Sequence, residues 1–107
     1  MALPHAVAGE VVKLPSVADS ETRTAALVKT ASFETIHLVV RASDYIRKHK
    51  VTGSISLFCM EGMVIIETEA GEHEMKAGEW IYFEPNETHG VRGIEDASLM
   101  LTILFDQ

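Results

Sequence analysis

The sequence predicts an all-β domain, a barrel or sandwich of short strands. From Phe33 onward, apolar and β-branched runs alternate with turn signals that recur at intervals of about ten residues. The hydrophobic fraction of 47% against 23% charged residues is typical of a compact globule and not of a disordered chain. The 107 residues form one domain. At this length, folding buries roughly 65% of the surface that the unfolded chain exposes.

The first predicted strand of the barrel is Phe33 to Val40, which is rich in β-branched residues. Successive side chains of a strand point to opposite faces, so His37 falls on one face and Leu38 on the other. A turn signal at Thr52-Gly53-Ser54 then leads into a second strand, Ile55 to Met60.

The middle of the chain predicts a hairpin and a short strand. Met63 to Thr68 is a strand, and Glu69 to Glu72 has the composition of a hairpin loop. Glu74 to Lys76 leads into the turn at Ala77-Gly78. The strand that follows, Trp80 to Phe83, ends before Pro85, which cannot donate a backbone hydrogen bond.

Two further strands complete the prediction. Val91 lies in a short strand beside Gly90 and Gly93. Leu99 to Phe105 is almost wholly apolar, which predicts a last strand that is buried on both faces.

The N-terminal residues 1 to 26 are interpreted as an arm, and residues 27 to 107 as the barrel domain. The arm mixes small, polar and charged residues without periodicity. Its one apolar run, Glu10 to Leu14, predicts an edge strand that ends at Pro15. Asp19 to Leu27 is a candidate helical turn, because Asp and Ser favour helix N-caps.

Charge and cysteine content narrow the classes of partner and compartment. A net charge of −7 disfavours binding to nucleic acid or to an anionic membrane surface. The single cysteine, Cys59, excludes an internal disulfide and fits a reducing compartment. The N-terminus lacks the pattern of a signal peptide, and no apolar run approaches the roughly 18 residues of a membrane span. We therefore expect a cytoplasmic protein.

Five short segments, in their order and spacing, resemble the small single-domain bacterial cupins from about Leu27 to Phe105. They are His49-Lys50-Val51, Cys59-Met60-Glu61-Gly62, Ala77-Gly78, His89 and Glu95-Asp96-Ala97-Ser98-Leu99. The resemblance implies a double-stranded β-helix, the double-sheet jelly roll of that superfamily.

The resemblance also implies where a metal site would lie. In cupins the first motif carries two His in H-x-H spacing, a Glu and a closing Gly. The second motif carries a Gly, a Pro-rich turn and one His, and these polar residues hold a metal in members that use one. Counting back from Gly62, the position of the motif Glu falls on Ile55 and the two His positions fall on His49 and Val51, while His89 matches the second motif.

The metal motif is degenerate under either spacing. An alternative gap moves the two His positions to Lys48 and Lys50 and leaves no ligand in the first motif. Catalytic transition-metal sites generally use three or four protein ligands, whereas at best His49 and His89 remain. The candidates for a third ligand are His37 and Glu84. The cofactor prediction stays open between none and a divalent transition metal.

Three functions remain open, and the sequence leaves undecided whether the protein is an enzyme. The first is a small-molecule-binding barrel in which His49 and His89 orient a ligand. The second is a metal-dependent enzyme of the dioxygenase, isomerase or decarboxylase type, and the third is a ligand-sensing regulatory module that acts through a protein partner. The remaining predicted lining residues of the cavity are Val51, Ile55, Met60 and Met100.

Cupins of this size commonly pair through one sheet, so the resemblance implies a homodimer. The arm around Glu10 to Leu14 is a candidate to add a strand to the partner's sheet edge, which would cover exposed backbone groups. Trp80 and Tyr82 share one side of a strand and fit an aromatic wall, a patch between subunits or core packing.

Overall fold

The computed structural model describes residues 5 to 105 as seven strands, with no helix in that range. The strands are β1 (Ala25–Lys29), β2 (Phe33–Val40), β3 (Tyr45–His49), β4 (Ile55–Thr68), β5 (Gly71–Lys76), β6 (Trp80–Phe83) and β7 (His89–Leu104). All strand pairings of the described residues are antiparallel. The predicted all-β jelly roll is confirmed, and β2 and β6 have the predicted bounds.

The two long strands, β4 and β7, organise the fold. They pair with each other from Ile55↔Ile103 to Thr68↔His89, almost over their whole length. The first half of β4 also pairs with β6 and its second half with β5, while β7 pairs first with β3 and then with β2. We call β1-β2-β7-β4-β6 the first layer and β3-β7-β4-β5 the second layer. Both layers share the same two strands, so the sheet folds over onto itself.

The fold between the layers lies at a set of bulges around Gly62. The register of β4 against β7 shifts between Cys59 and Glu61, between Glu61 and Met63, and again after Met63. Extra residues in one strand bend it and increase its twist. Gly62 has a φ of 78°, and the backbone of Asp96 fills the place where a Cβ would stand.

The bulges correct two strand predictions. The sequence predicted a break between Met60 and Met63, but β4 runs through this region, because a bulged strand keeps its pairing. In the same way, the predicted short strand at Val91 and the strand from Leu99 are parts of one strand, β7.

The core lies between the two layers and is apolar. Its buried members are Val40, Ile55, Leu57, Cys59, Val64, Ile66, Met75, Phe83, Val91, Ala97 and Leu99. The prediction that the last strand is buried on both faces is wrong: Leu104 is 52% exposed and Met100 is half-buried. These side chains point away from the core, where no other layer of the described chain covers them.

The N-terminal arm is held by two charged side chains of the barrel. The carboxylate of Glu61 accepts hydrogen bonds from Ser16 Oγ at 2.6 Å and from the backbone N–H of Val17 at 3.0 Å. The guanidinium of Arg41 donates to the backbone carbonyls of Val17, Asp19 and Thr22. The Ser16 and Val17 contacts hold the pKa of the Glu61 carboxyl below its usual range.

These contacts explain why the predicted helical turn from Asp19 to Leu27 is wrong. The Thr22 N–H donates to the carbonyl of Asp19 in a single turn, and Arg41 donates to the carbonyls of both Asp19 and Thr22, so no helix continues from this turn. The chain makes turns up to Glu21 and then enters β1 at Ala25, inside the segment predicted as arm. Residues 10 to 14 form no strand in the single chain. The backbone N–H of Ala6 donates to the carbonyl of Leu27 on edge strand β1.

We expect Gly62→Ala to destabilise the fold far more than Gly78→Ala. Both glycines have positive φ, but a Cβ at Gly78 meets open space, whereas a Cβ at Gly62 overlaps the backbone of Asp96 and Ala97. Gly78→Ala should therefore cost about 1 to 2 kcal/mol for backbone conformation alone. Gly62→Ala adds overpacking, for a total of about 3 kcal/mol or more. Chemical denaturation measures both values, and equal losses would show that the close approach at Gly62 is unimportant.

Candidate functional site

An apolar cavity of about 180 Å³ lies between the two layers. Its walls are eight apolar side chains and two imidazoles. They are Leu38, Ile46, His49, Val51, Ile55, Leu57, His89, Val91, Leu101 and Ile103.

Strand alternation explains the apolar wall from the first layer. Ile55 and Leu57 are two residues apart on β4, as are Leu101 and Ile103 on β7, so each pair shares one face. The register Ile55↔Ile103 and Leu57↔Leu101 places these four side chains side by side. Leu38 extends the same wall on β2, opposite Leu99.

The two imidazoles come from neighbouring strands of the second layer. His49 ends β3 and His89 begins β7, and the two residues are partners in the antiparallel ladder. Their ring centroids are 4.5 Å apart with an interplanar angle of 55°. His89 is 4% exposed, whereas His49 is exposed, so His49 lies at the solvent end of the cavity.

Backbone carbonyls fix the tautomer of both rings. The Nδ1 of His49 lies 3.0 Å from the carbonyl oxygen of Arg47, and the Nδ1 of His89 lies 3.1 Å from that of Glu87. A carbonyl oxygen only accepts hydrogen bonds, so each Nδ1 carries the proton and donates it. In the neutral rings each Nε2 therefore has a free lone pair. Within residues 5 to 105, neither Nε2 has a hydrogen-bond partner.

The turn before His89 and the ring of Phe83 hold this imidazole in place. Phe83 stacks on it at 4.6 Å between centroids and 14° between planes. Asn86 adopts a φ of 67° and donates its backbone N–H to the carbonyl of Val51 at 2.7 Å, which ties the turn to the cavity wall. The Glu87 carboxylate accepts from the N–H of Glu84 at 2.7 Å and thereby caps the turn.

Burial lowers the pKa of the His89 imidazole below its ordinary value. The positive charge of protonated His49 lowers this pKa further, while the hydrogen bond to the Glu87 carbonyl and the Glu87 carboxylate raise it. Desolvation disfavours the charged form of a histidine, and here this effect is the largest. The ring is therefore neutral around pH 7.

The structure brings four of the six predicted pocket residues together: His49, Val51, Ile55 and His89 line one cavity. This grouping agrees with the motif spacing that places the two His positions at His49 and Val51. The alternative spacing would place them at Lys48 and Lys50, which do not line the cavity.

Met60 and Met100, also predicted to line the cavity, are absent from its walls. Met100 is adjacent to the lining residue Leu101, so strand alternation turns it to the opposite face, where it pairs with Phe58 and His37. Met60 lies half-buried at the bulge of β4.

Neither proposed third metal ligand joins the histidine pair. His37 neighbours the lining residue Leu38 and therefore points to the other face of β2, where it is 2% exposed and lies near Glu61. Its Nε2 has no hydrogen-bond partner, and burial lowers the pKa of the ring. Glu84 is exposed in the turn.

The donor set does not fit a transition-metal centre. In the described part of the chain, no group of three or more His, Cys, Asp or Glu side chains is placed to hold a metal ion. Two imidazoles fall short of the three or four protein ligands of such sites. We therefore derive no metal chemistry from this cavity.

Sequence reasoning missed six apolar residues of the wall and the stacking ring. The six are Leu38, Ile46, Leu57, Val91, Leu101 and Ile103. Each lies in a strand and has the pattern of an ordinary core residue, so only the register between strands shows that they surround a space. Phe83 was placed in a strand, but its stacking on His89 depends on the intervening turn.

Several known structures that resemble this chain are cupins, and one is a conserved protein of unknown function. No protein-family model matches the chain, and no curated protein matches it. A conserved protein of unknown function from Streptococcus pyogenes has a TM-score of 0.79 at 13% identity, over 100% of this chain and 99% of that chain. An RmlC-like cupin family protein with a double-stranded β-helix fold from Methanocaldococcus jannaschii has a TM-score of 0.76 at 18% identity, over 92% and 93%.

A third similar structure is an enzyme. The DMSP lyase DddQ from Ruegeria pomeroyi has a TM-score of 0.69 at 13% identity, over 78% of this chain and 46% of that chain. At these identities the likeness shows the fold alone: the chain has the cupin fold. No helix within residues 5 to 105 is long and apolar enough to cross a membrane.

We expect the free energy of unfolding to fall as the pH drops from 7.5 to 5.5, partly through His89. Its folded pKa lies below the ordinary value of 6.5, so the unfolded chain takes up the proton first and stability is lost as pH falls through 6.5. His89→Gln should reduce this slope, and the remaining slope should include His37, whose pKa is also lowered. Denaturant titrations at three pH values measure both, and an unchanged slope in the variant would contradict the assignment.

Proposed function

We propose that this protein is a small-molecule-binding barrel whose ligand occupies the cavity between the two layers. The observation that carries the proposal is the composition of the cavity: eight apolar side chains and two neighbouring imidazoles around one space. Small-ligand sites are typically concave and mostly apolar, with a few polar groups that orient the ligand.

The volume of the cavity limits the ligand to a compact molecule. An apolar cavity of about 150 Å³ is large enough to bind benzene. The cavity here, at about 180 Å³, has room for a molecule of that size with a small substituent. Apolar burial provides the affinity in such a site, and His89 provides a fixed polar point.

The enzyme and sensor alternatives both use the same cavity. The lyase from Ruegeria pomeroyi is a catalytic protein of similar fold, but a fold supports many functions and does not specify one. The metal-dependent alternative needs a third ligand that the described residues do not supply. A sensing module would bind its ligand in the same way and would in addition need a protein partner that responds to the bound ligand.

Filling the cavity should abolish ligand binding. We expect benzene and toluene to raise the melting temperature of the wild type, because a ligand that binds the native state stabilises it. Val51→Phe replaces a small lining side chain with a phenyl ring that fills the cavity, so this variant should lose the shift in melting temperature. Val11→Phe, at a position on the arm that is 94% exposed, should retain the shift. Thermal scans with and without each probe measure the shifts. If the wild type shows no shift with a series of compact apolar probes, the binding proposal is wrong.

We also propose that a second copy of the chain covers the outer face of the first layer. Phe58, Trp80, Tyr82 and Leu104 are 41 to 58% exposed there, and we call this group the aromatic face. Trp80 and Tyr82 stack on each other at 5.5 Å between centroids, and because both are more than half exposed, the core-packing alternative for them is wrong.

The absence of charge on this face supports a second copy as its occupant. The aromatic face and the shallow groove beside it contain no charged side chain. Two chains of net charge −7 repel each other, and they meet with least repulsion through an uncharged surface. The same face on both copies makes a two-fold, self-complementary contact.

Trp80→Glu should convert the dimer to a monomer, because it introduces like charges on both sides of the proposed contact. Ile94→Glu is the matched control and should stay dimeric. Ile94 is also an exposed apolar residue, but it lies where β7 bends from one layer into the other and not on the aromatic face. Light scattering coupled to size-exclusion chromatography gives the masses. A monomeric wild type would refute the dimer. If a chain that lacks residues 1 to 15 dimerises equally well, the prediction that the arm adds a strand to the partner's sheet is wrong.

A further inference from the structure

We propose that the cavity selects neutral ligands that donate a hydrogen bond, such as a small ring bearing a hydroxyl, over ligands of the same shape that only accept one. This inference rests on the proposed binding function and goes further by naming the chemical class of the ligand.

The hydrogen bonds behind the cavity wall determine its polarity. Both Nδ1–H groups are committed to backbone carbonyls, at 3.0 Å in His49 and 3.1 Å in His89. The nitrogen left for a ligand in each ring is Nε2, which accepts when the ring is neutral. Both imidazoles therefore present acceptors and no free N–H.

The other side chains of the wall cannot reverse this polarity. All eight are aliphatic, so they contain neither donors nor acceptors. A carboxylate or carbonyl that enters the cavity would lose its hydrogen bonds to water and find no donor side chain to replace them. An unpaired polar group, and above all an unpaired charge, is costly to bury in apolar surroundings.

The burial of His89 turns this polarity into selectivity. Its ring is 4% exposed and stacked on Phe83, so the ring keeps its orientation when a ligand displaces solvent from the cavity. A ligand hydroxyl satisfies the Nε2 atom, whereas an apolar ligand of the same shape leaves it without a partner. Sites built around a buried polar group discriminate against analogues that lack the matching group.

The closeness of the two rings strengthens the effect. With centroids 4.5 Å apart, one hydroxyl bound near His89 also lies beside the ring of His49. The arrangement places the polar end of the ligand at the two histidines and its apolar end among Leu38, Leu101 and Ile103.

Phenol, toluene and benzaldehyde test the inference because they share one ring and differ in donor and acceptor groups. At pH 8, well above the lowered pKa of the His89 ring, we expect the wild type to bind phenol about tenfold more tightly than toluene, the ratio that one hydrogen bond supplies. Benzaldehyde, which only accepts, should bind no better than toluene. Titration calorimetry or NMR shift titration gives the dissociation constants.

His89→Leu should lose the preference for phenol over toluene, and His73→Leu, at an exposed position on β5, should behave as the wild type. If His89→Leu does not fold, the ¹⁵N shift of His89 Nε2 in the wild type provides a second readout. That shift should move with phenol and stay with toluene.

The two proposals fail differently. Equal binding of phenol and toluene, or tighter binding of benzaldehyde, would overturn the donor selectivity and leave the binding cavity in place. Binding of none of the three probes would overturn the binding function itself and the selectivity with it.

Discussion

The antiparallel pairing of β4 with β7 is the interaction on which the rest of this structure depends. These two strands belong to both layers, and every other strand except β1 pairs directly with one of them. The bulges around Gly62 fold the pair over, so that Leu57 and Leu101 in one layer come to face His89 and Val91 in the other. Without this bend, the apolar side chains that now meet between the two layers would be exposed to solvent. The cavity is thus a consequence of the bend.

The same bend explains how the N-terminal arm is held in place. Glu61 lies within the bulged segment, and its carboxylate accepts from Ser16 and Val17 of the arm and from Ser98 of β7. A carboxylate with three hydrogen-bond donors retains its charge after partial burial, which agrees with its lowered pKa. Arg41 donates to the carbonyl of Val17 in the same arm and also pairs with Asp96 at 3.2 Å. The arm is therefore anchored to the turning point of the sheet and not to the cavity.

The sequence predicted local strands well and the joins between them poorly. Alternation and Pro85 were enough to give the bounds of β2 and β6, because those signals lie within the strand itself. At Gly62 the sequence predicted a break between two strands, and only the long-range pairing with β7 shows that the strand continues through a bulge. The helical turn from Asp19 failed for a similar reason, since the guanidinium that donates to the carbonyls of Asp19 and Thr22 belongs to Arg41, a residue distant in sequence.

The sequence likewise predicted the candidate site only in part. The motif spacing identified His49, Val51, Ile55 and His89, four positions that the structure groups around one cavity. Spacing carries no information on facing, however, so Met100 and His37 were expected inside although strand alternation turns both outward. Where the cupin motif has a second His and a Glu, this chain has Val51 and Ile55, and a metal-sized polar pocket becomes an apolar one. Two imidazoles then remain without a third ligand, and their Nε2 lone pairs, held in place by the carbonyls of Arg47 and Glu87, become the polar feature that a ligand must match.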